Sequence, residues 1–284
     1  PVGAALFCGL LLGGAIGRAC LRAGFSDPPG GRKGHGRPVP MGGFLFVLPL
    51  WGQVQALGGG LLFAAGGIVL AVGLWEDLLK TRRRELAWGF RLSILGAAAW
   101  LGAGDAALGD PSAGPRIFPA LLLLAAAIAF NWFDHADGLA AGAGLGALAG
   151  LLQAGDTRTA IAAGLLAAFL IQNAFLPGGA RLFLGDAGAQ LLGFSLACAA
   201  LLAPRAGPAG AGSLLLGGAA IALPLVDGMR VAGARLAAGL PPWRADRRRH
   251  LGHLGWARGL PRGLLAVLCA ALAFGFVQAG LRLS

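Results

Sequence analysis

The sequence predicts an all-α polytopic integral membrane protein with about ten transmembrane helices, and three observations carry that prediction. First, 57% of its 284 residues are hydrophobic and only 12% are charged, against roughly 25% charged residues in soluble domains. Second, apolar runs of about 16 to 23 residues recur along the chain, close to the roughly 20 that a helix needs to cross hydrocarbon. Third, no segment alternates apolar and polar residues, so a β-barrel has no support and helices remain as the spanning structure. A mean hydropathy of +0.73 agrees. The 51 glycines would weaken soluble helices but let membrane helices pack backbone to backbone.

The helices are expected in this order. The first covers 2–23. It resembles a signal-peptide core, but Arg18 and Arg22 follow the apolar stretch and no small-residue cleavage site is evident, so it reads as a span. Helices at 42–57 and 60–79 are separated by a glycine run and end before the basic cluster Lys80 to Arg84. Those at 86–104 and 116–131 lead to the polar segment Asn131 to Asp137. Helices at 138–154 and 157–176 precede Pro177-Gly178-Gly179, and one at 185–203 stops before Pro204. Those at 213–235 and 262–281 complete the set.

Alternating loops across these spans place 19 of the 23 Lys and Arg residues on one side. By the positive-inside rule that side is cytoplasmic, which puts both termini outside. The net charge of +11 is then a matter of topology and lipid headgroups, with no nucleic acid implied. Nine of the twelve acids fall on the same side, which the rule does not ask of acids. The loops there (24–41, 77–86, 131–138, 177–185 and 236–261) are too short to fold separately, so residues 1–284 are expected to form one membrane domain with a shallow cytoplasmic site. Cys8, Cys20, Cys198 and Cys269 lie in or beside apolar runs without paired spacing, and read as small core residues.

Three acidic segments then stand out. Glu76 and Asp77 end the third span, where adjacent acids repel unless a cation or basic neighbours satisfy them; magnesium and simple pairing with Lys80 and Arg82 to Arg84 explain them equally. Asn131-Trp132-Phe133-Asp134-His135-Ala136-Asp137 brings two acids, an amide and an imidazole together at the membrane surface. Gly185-Asp186-Ala187-Gly188 opens a helix, where an acid is either a cap or a group beside a phosphate site. Charges this close to hydrocarbon are functional candidates by default.

Together with His35-Gly36-Arg37-Pro38-Val39-Pro40-Met41-Gly42-Gly43 and Asp246-Arg247-Arg248-Arg249-His250-Leu251-Gly252-His253-Leu254, these segments resemble the polyprenyl-phosphate N-acetylhexosamine-1-phosphate transferases. That family includes the phospho-MurNAc-pentapeptide translocase and enzymes that start O-antigen and teichoic acid synthesis. The resemblance implies a bacterial inner-membrane enzyme whose site faces the cytoplasm. It implies that undecaprenyl phosphate attacks a UDP-N-acetyl sugar, releasing UMP and leaving a lipid-linked diphosphate sugar. It implies Mg²⁺, with Mn²⁺ as a substitute, bound by Asp186. Asp77, Glu76 and Asp137 would complete the catalytic set, and Lys80, Asn131, Asp134, His250 and His253 would contact substrate. The Gly-rich spans permit a homodimer.

The chain departs from the family pattern at several points. Glu76 replaces an Asp, Asp134 an Asn, Ala140-Ala141 an Asp-Gly, Ala189 a Ser, and Gly252 the middle His of the histidine motif. His35 and His135 read as interfacial histidines outside the core site, and Asp227 as a partner of Arg230 or Arg235. Two other readings stand beside the transferase: a multi-span transporter, and a degenerate relative that binds lipid or nucleotide without turnover. A transporter should carry polar groups near the midplane, whereas these acids gather at one face.

Overall fold

The computed structural model describes residues 1–30, 35–57, 59–109, 113–203, 210–243 and 250–283. Apolar runs too long for strands become helices, and each of the ten expected segments is helical: α1 (Val2–Arg22), α2 (Leu48–Ala56, entered through a 3₁₀ turn at Gly43–Phe46), α3 (Gly60–Thr81), α4 (Trp88–Ala103), α5 (Ala113–Phe133), α6 (Leu139–Gln153), α7 (Ala160–Leu170), α8 (Gly185–Leu201), α9 (Ala211–Ala237) and, after the short α10 (Leu251–Ala257), α11 (Arg262–Leu283). Among the described residues six helices are long and apolar enough to cross a membrane, and three further segments are shorter and apolar. The chain is a polytopic membrane protein, all-α among the described residues apart from one short antiparallel strand pair.

The centre of the packing is α8. Every residue of it except Asp186 is buried, as expected of a helix that is apolar all round. It is enclosed by α2, α3, α5 and α9, while α6 packs on α11 and α1 on α7. The outer helices carry the reverse pattern: Phe7 and Leu11 of α1 are 63% and 64% exposed. Side chains of that kind suit lipid, not water, as their solvent.

Two features lie outside the helical reading. An antiparallel pair, β1 (Ser26–Asp27) with β2 (Val39–Pro40), closes the first loop. The Pro40 carbonyl accepts the Phe183 N–H at 2.9 Å, and the Phe183 carbonyl accepts the Gly43 N–H at 2.9 Å. The Pro-x-Pro-Met-Gly-Gly segment thereby holds the turn that opens α8. The second feature is a π turn, Ile171–Phe175, that ends α7. Such turns displace the helical ladder and often sit at functional sites.

Candidate active site

Gly73 lets α3 approach the start of α8, since a Cβ there would lie 2.4 Å from the Ala187 Cα. The approach buries Asp77 completely. Its Oδ1 accepts the Asp186 N–H at 2.8 Å and its Oδ2 the Ala187 N–H at 3.0 Å. Those N–H groups are among the four that a helix start leaves unpaired, and the formal cap residue, Leu184, offers no side-chain bond. Gly185 has φ +74°, and a Cβ on it would meet the Asp77 carboxylate at 2.5 Å, so only glycine fits. Asp77 thus caps α8 from another helix.

With that duty taken by Asp77, the Asp186 side chain is free of capping. Its Oδ1 lies 2.5 Å from Lys80 Nζ and accepts from Asn131 Nδ2 at 2.9 Å. Lys80 Nζ is also 3.8 Å from Asp77 Oδ1. Glu76 turns elsewhere: Arg91 donates to its Oε1 at 3.0 Å and Gln190 to its Oε2 at 2.5 Å. Arg91 also donates to Asn131 Oδ1 at 3.3 Å, so it steadies the amide that holds Asp186. Sequence alone left a shared cation and pairing with Lys80 and Arg82 to Arg84 equally open for Glu76 and Asp77. Each instead has its own protein partners, because consecutive residues on a helix point about 100° apart.

Above Asp186 opens a cavity of about 900 Å³, lined by Lys80, Asp134, His135, Asp137, Asp186, Asn173, His253, Trp256 and Arg262, with His35 and Arg37 at one side. Of the nine candidate residues, Lys80, Asp134, Asp137, Asp186 and His253 line this space. Glu76, Asp77, Asn131 and His250 stand behind it. The part of the histidine motif from Asp246 to Arg249 lies outside the described residues.

The acids differ in how they are satisfied. Asp137 receives Arg262 Nη1 at 2.9 Å, yet burial outweighs that pairing and holds its carboxyl above the usual range. The half-buried Asp134 carboxylate has no hydrogen bond or ion pair among the described residues. Desolvation pushes it well above the carboxylate range; Lys80 opposes this, while Asp186, Asp137 and Asp77 reinforce it. An acid so placed calls for a proton or a cation.

A histidine cluster forms one wall. Asp227, fully buried in α9, accepts His250 Nδ1 at 2.7 Å, the Leu251 N–H at 2.9 Å and Arg230 Nη2 at 3.0 Å. The expected pairing with Arg230 is present, but His250 and the start of α10 are its further partners. The His135 ring lies 4.1 Å from that of His250 and 4.6 Å from that of His253, centroid to centroid. Burial, with the two neighbouring imidazoles, lowers the His135 pKa to about 3, so this ring is neutral.

Two arrangements suit a cation. His135, Asp227 and His250 offer ligand atoms within 4.8 Å of one another, a compact set capable of coordinating a divalent ion. Two imidazoles and one carboxylate suit transition metals better than magnesium. The oxygen groups of Asp186 and Asp134 match magnesium, which takes few carboxylates and keeps waters and phosphate oxygens. Both line the same cavity, and the Asp134 carboxylate has no protein partner among the described residues.

Sequence reasoning missed four residues here. Asn173, in the π turn, accepts the Gly138 N–H at 2.6 Å and donates to the Leu182 carbonyl at 2.9 Å, tying the 131–138 loop to the turn before α8. The Gln172-Asn173 amide pair at the end of an apolar run was the available signal. Arg91 and Arg262 were read only as topology markers. His135 was set aside as interfacial, yet it lines the cavity.

The model of glycosyl transferase family 4 matches residues 60–203, half of the chain, and the match spans Glu76, Asp77, Lys80, Asn131, Asp134, Asp137 and Asp186. No curated protein matches the sequence. The chain belongs to glycosyl transferase family 4, the family that contains the polyprenyl-phosphate sugar-1-phosphate transferases, and its general class of activity is membrane-associated sugar-phosphate transfer.

Proposed function

We propose that the protein transfers an N-acetylhexosamine 1-phosphate from a UDP-sugar to undecaprenyl phosphate, at a cytoplasmic-facing site in a bacterial inner membrane. The lipid phosphate oxygen bonds to the sugar-bearing phosphorus, the bond from that phosphorus to UMP breaks, and the product is a lipid-linked diphosphate sugar. The observation that carries this reading is the Asp186 carboxylate, oriented by Lys80 and Asn131 at the floor of a cavity it shares with the unpartnered Asp134.

Asp186 and Asp134 would hold a magnesium ion, which when bound supplies charge neutralisation for the diphosphate. Lys80, Arg37 and Arg262 bring fixed positive charge to the same space, and that is what a reaction between two phosphates needs. Asp77 acts as an orienter: both of its oxygens are engaged by the α8 backbone, and it keeps Asp186 aimed into the cavity. No strong base is required, because a phosphate monoester with a second pKa of about 6 is already largely ionised at neutral pH. The spans are proposed to number ten, with both termini outside and residues 1–284 forming one domain.

The test uses UDP-N-acetyl sugars carrying a radioactive phosphate next to the sugar, with undecaprenyl phosphate and Mg²⁺ in detergent. The label is expected in the lipid fraction and UMP in the aqueous one. UDP-sugar binding without label transfer from any donor would favour the non-catalytic binder.

A further inference from the structure

We infer that a second cavity, built on Arg37 and Arg181 beside the end of α1, binds the phosphate headgroup of an anionic membrane lipid. The site goes beyond the transferase reading and does not depend on turnover.

This cavity has a volume of about 330 Å³ and adjoins the larger one, with which it shares Arg37, Gly178 and Ala180. Its other walls are Leu21 of α1, Arg181 and three prolines, Pro38, Pro40 and Pro177, with no acid among them. Proline fixes φ, and backbone hydrogen bonds tie down the segments beside it. The Arg181 N–H donates to the Gln172 carbonyl at 3.1 Å, and the Phe183 N–H to the Pro40 carbonyl at 2.9 Å. A Cβ on Gly17 of α1 would lie 3.6 Å from Pro40 Cγ, so the helix rests directly on that wall. The cavity is thus set by α1, the 37–40 segment and the 177–181 turn, which the fold holds against one another.

What it offers is positive charge without a counter-ion. Arg181 is exposed, and its guanidinium has no hydrogen bond or ion pair among the described residues. Arg37 donates one N–H to the Gly178 carbonyl at 3.4 Å and has further N–H groups to give. Two guanidinium groups lining one space, with no carboxylate to share it, match phosphate oxygens, which such forks can hold in pairs.

The position says which phosphate. α1 is an apolar helix of membrane length, Val2–Arg22, and Leu21 in its last turn is 48% exposed. The cavity therefore lies where a span ends, at the level of lipid headgroups. Leu10 and Phe7 are also exposed and fall on the same side of the helix as Leu21. A lipid with its phosphate between the arginines can lay its chains along that face, which a free phosphate cannot use.

Wild type, Arg181→Ala and Arg22→Ala would be titrated in detergent with mixed micelles containing phosphatidylglycerol, and Tm recorded. Arg22 belongs to the same helix end but not to the cavity wall. Phosphatidylglycerol is expected to raise the wild-type Tm saturably. Half-saturation should move about tenfold or more to higher lipid in Arg181→Ala, and no more than about fivefold in Arg22→Ala, the worth of one basic residue near an anionic surface. Without lipid, Arg181→Ala should keep the wild-type Tm, since this guanidinium holds nothing in the protein; Arg181→Gln replaces it if it does not fold. An equal response of the two variants, or the same Tm rise with zwitterionic phosphatidylcholine, would overturn the inference, because general lipid contact would then explain the whole effect. A Tm rise with inorganic phosphate alone that disappears in Arg181→Ala would make this a free-anion site and overturn the lipid assignment.

Discussion

The Asp77 carboxylate is held through both oxygens, with one backbone N–H on each. Asp77→Asn keeps an acceptor for one of them and turns an amide donor towards the other. It should lower stability by about 1–3 kcal/mol in detergent unfolding and reduce turnover, while the pH profile of kcat keeps its shape because the residue orients and does not shuttle a proton. His135 gives a second expectation. Its pKa is about 3 when folded and about 6.5 when unfolded, so the unfolded state gains a proton that the folded ring refuses. Stability that is full above pH 6.5 is therefore lost as pH falls from there towards 3. Tm should drop more steeply over that window in wild type than in His135→Gln. At this scale the acids and Asn131 were legible because they sit where apolar runs stop, and a charge near lipid is conspicuous. Arg91, Arg262 and Asn173 were not, since their partners Glu76, Asp137 and Leu182 are set by packing between helices, and basic residues have a sufficient topological explanation already.

The helices were legible almost to their ends, as α3 at Gly60–Thr81 and α11 at Arg262–Leu283 show against expected spans of 60–79 and 262–281. Hydropathy reports such segments directly. It does not report the joints: the π turn at Ile171–Phe175, the β1–β2 pair and α10 are each too short for periodicity to declare. Those joints position the site. Asn173 bonds one loop on each side of the π turn, so Asn173→Ala removes two bonds and leaves the Gly138 N–H and the Leu182 carbonyl without them. The expected cost is about 1–3 kcal/mol, together with faster hydrogen exchange at 136–139 and 181–185. Gly185→Ala should be more damaging, since it forces a side chain into positive φ and against Asp77; weakened UDP-sugar binding and a lowered Tm would report it. An unchanged Tm would mean that α8 starts differently.

At the scale of the molecule, α8 is the buried axis, and its first turn is the only part of it that carries a charge. Apolar helices around it place the candidate carboxylates Asp77, Asp134, Asp137 and Asp186 together, where the proposed lipid phosphate and nucleotide would meet. If the end at which α8 starts is cytoplasmic and both termini lie outside, as the basic loops imply, alkaline phosphatase fused after residue 283 should be active and a fluorescent protein fused there dark. The reverse pattern would invert the topology. Asp186 is proposed to organise charge neutralisation of the diphosphate, and UMP release against Mg²⁺ concentration in wild type and Asp186→Ala tests that role. Saturable, metal-dependent release in wild type and none in a variant that still folds is the predicted result. Undiminished release from Asp186→Ala, or release from wild type that ignores metal, would contradict it.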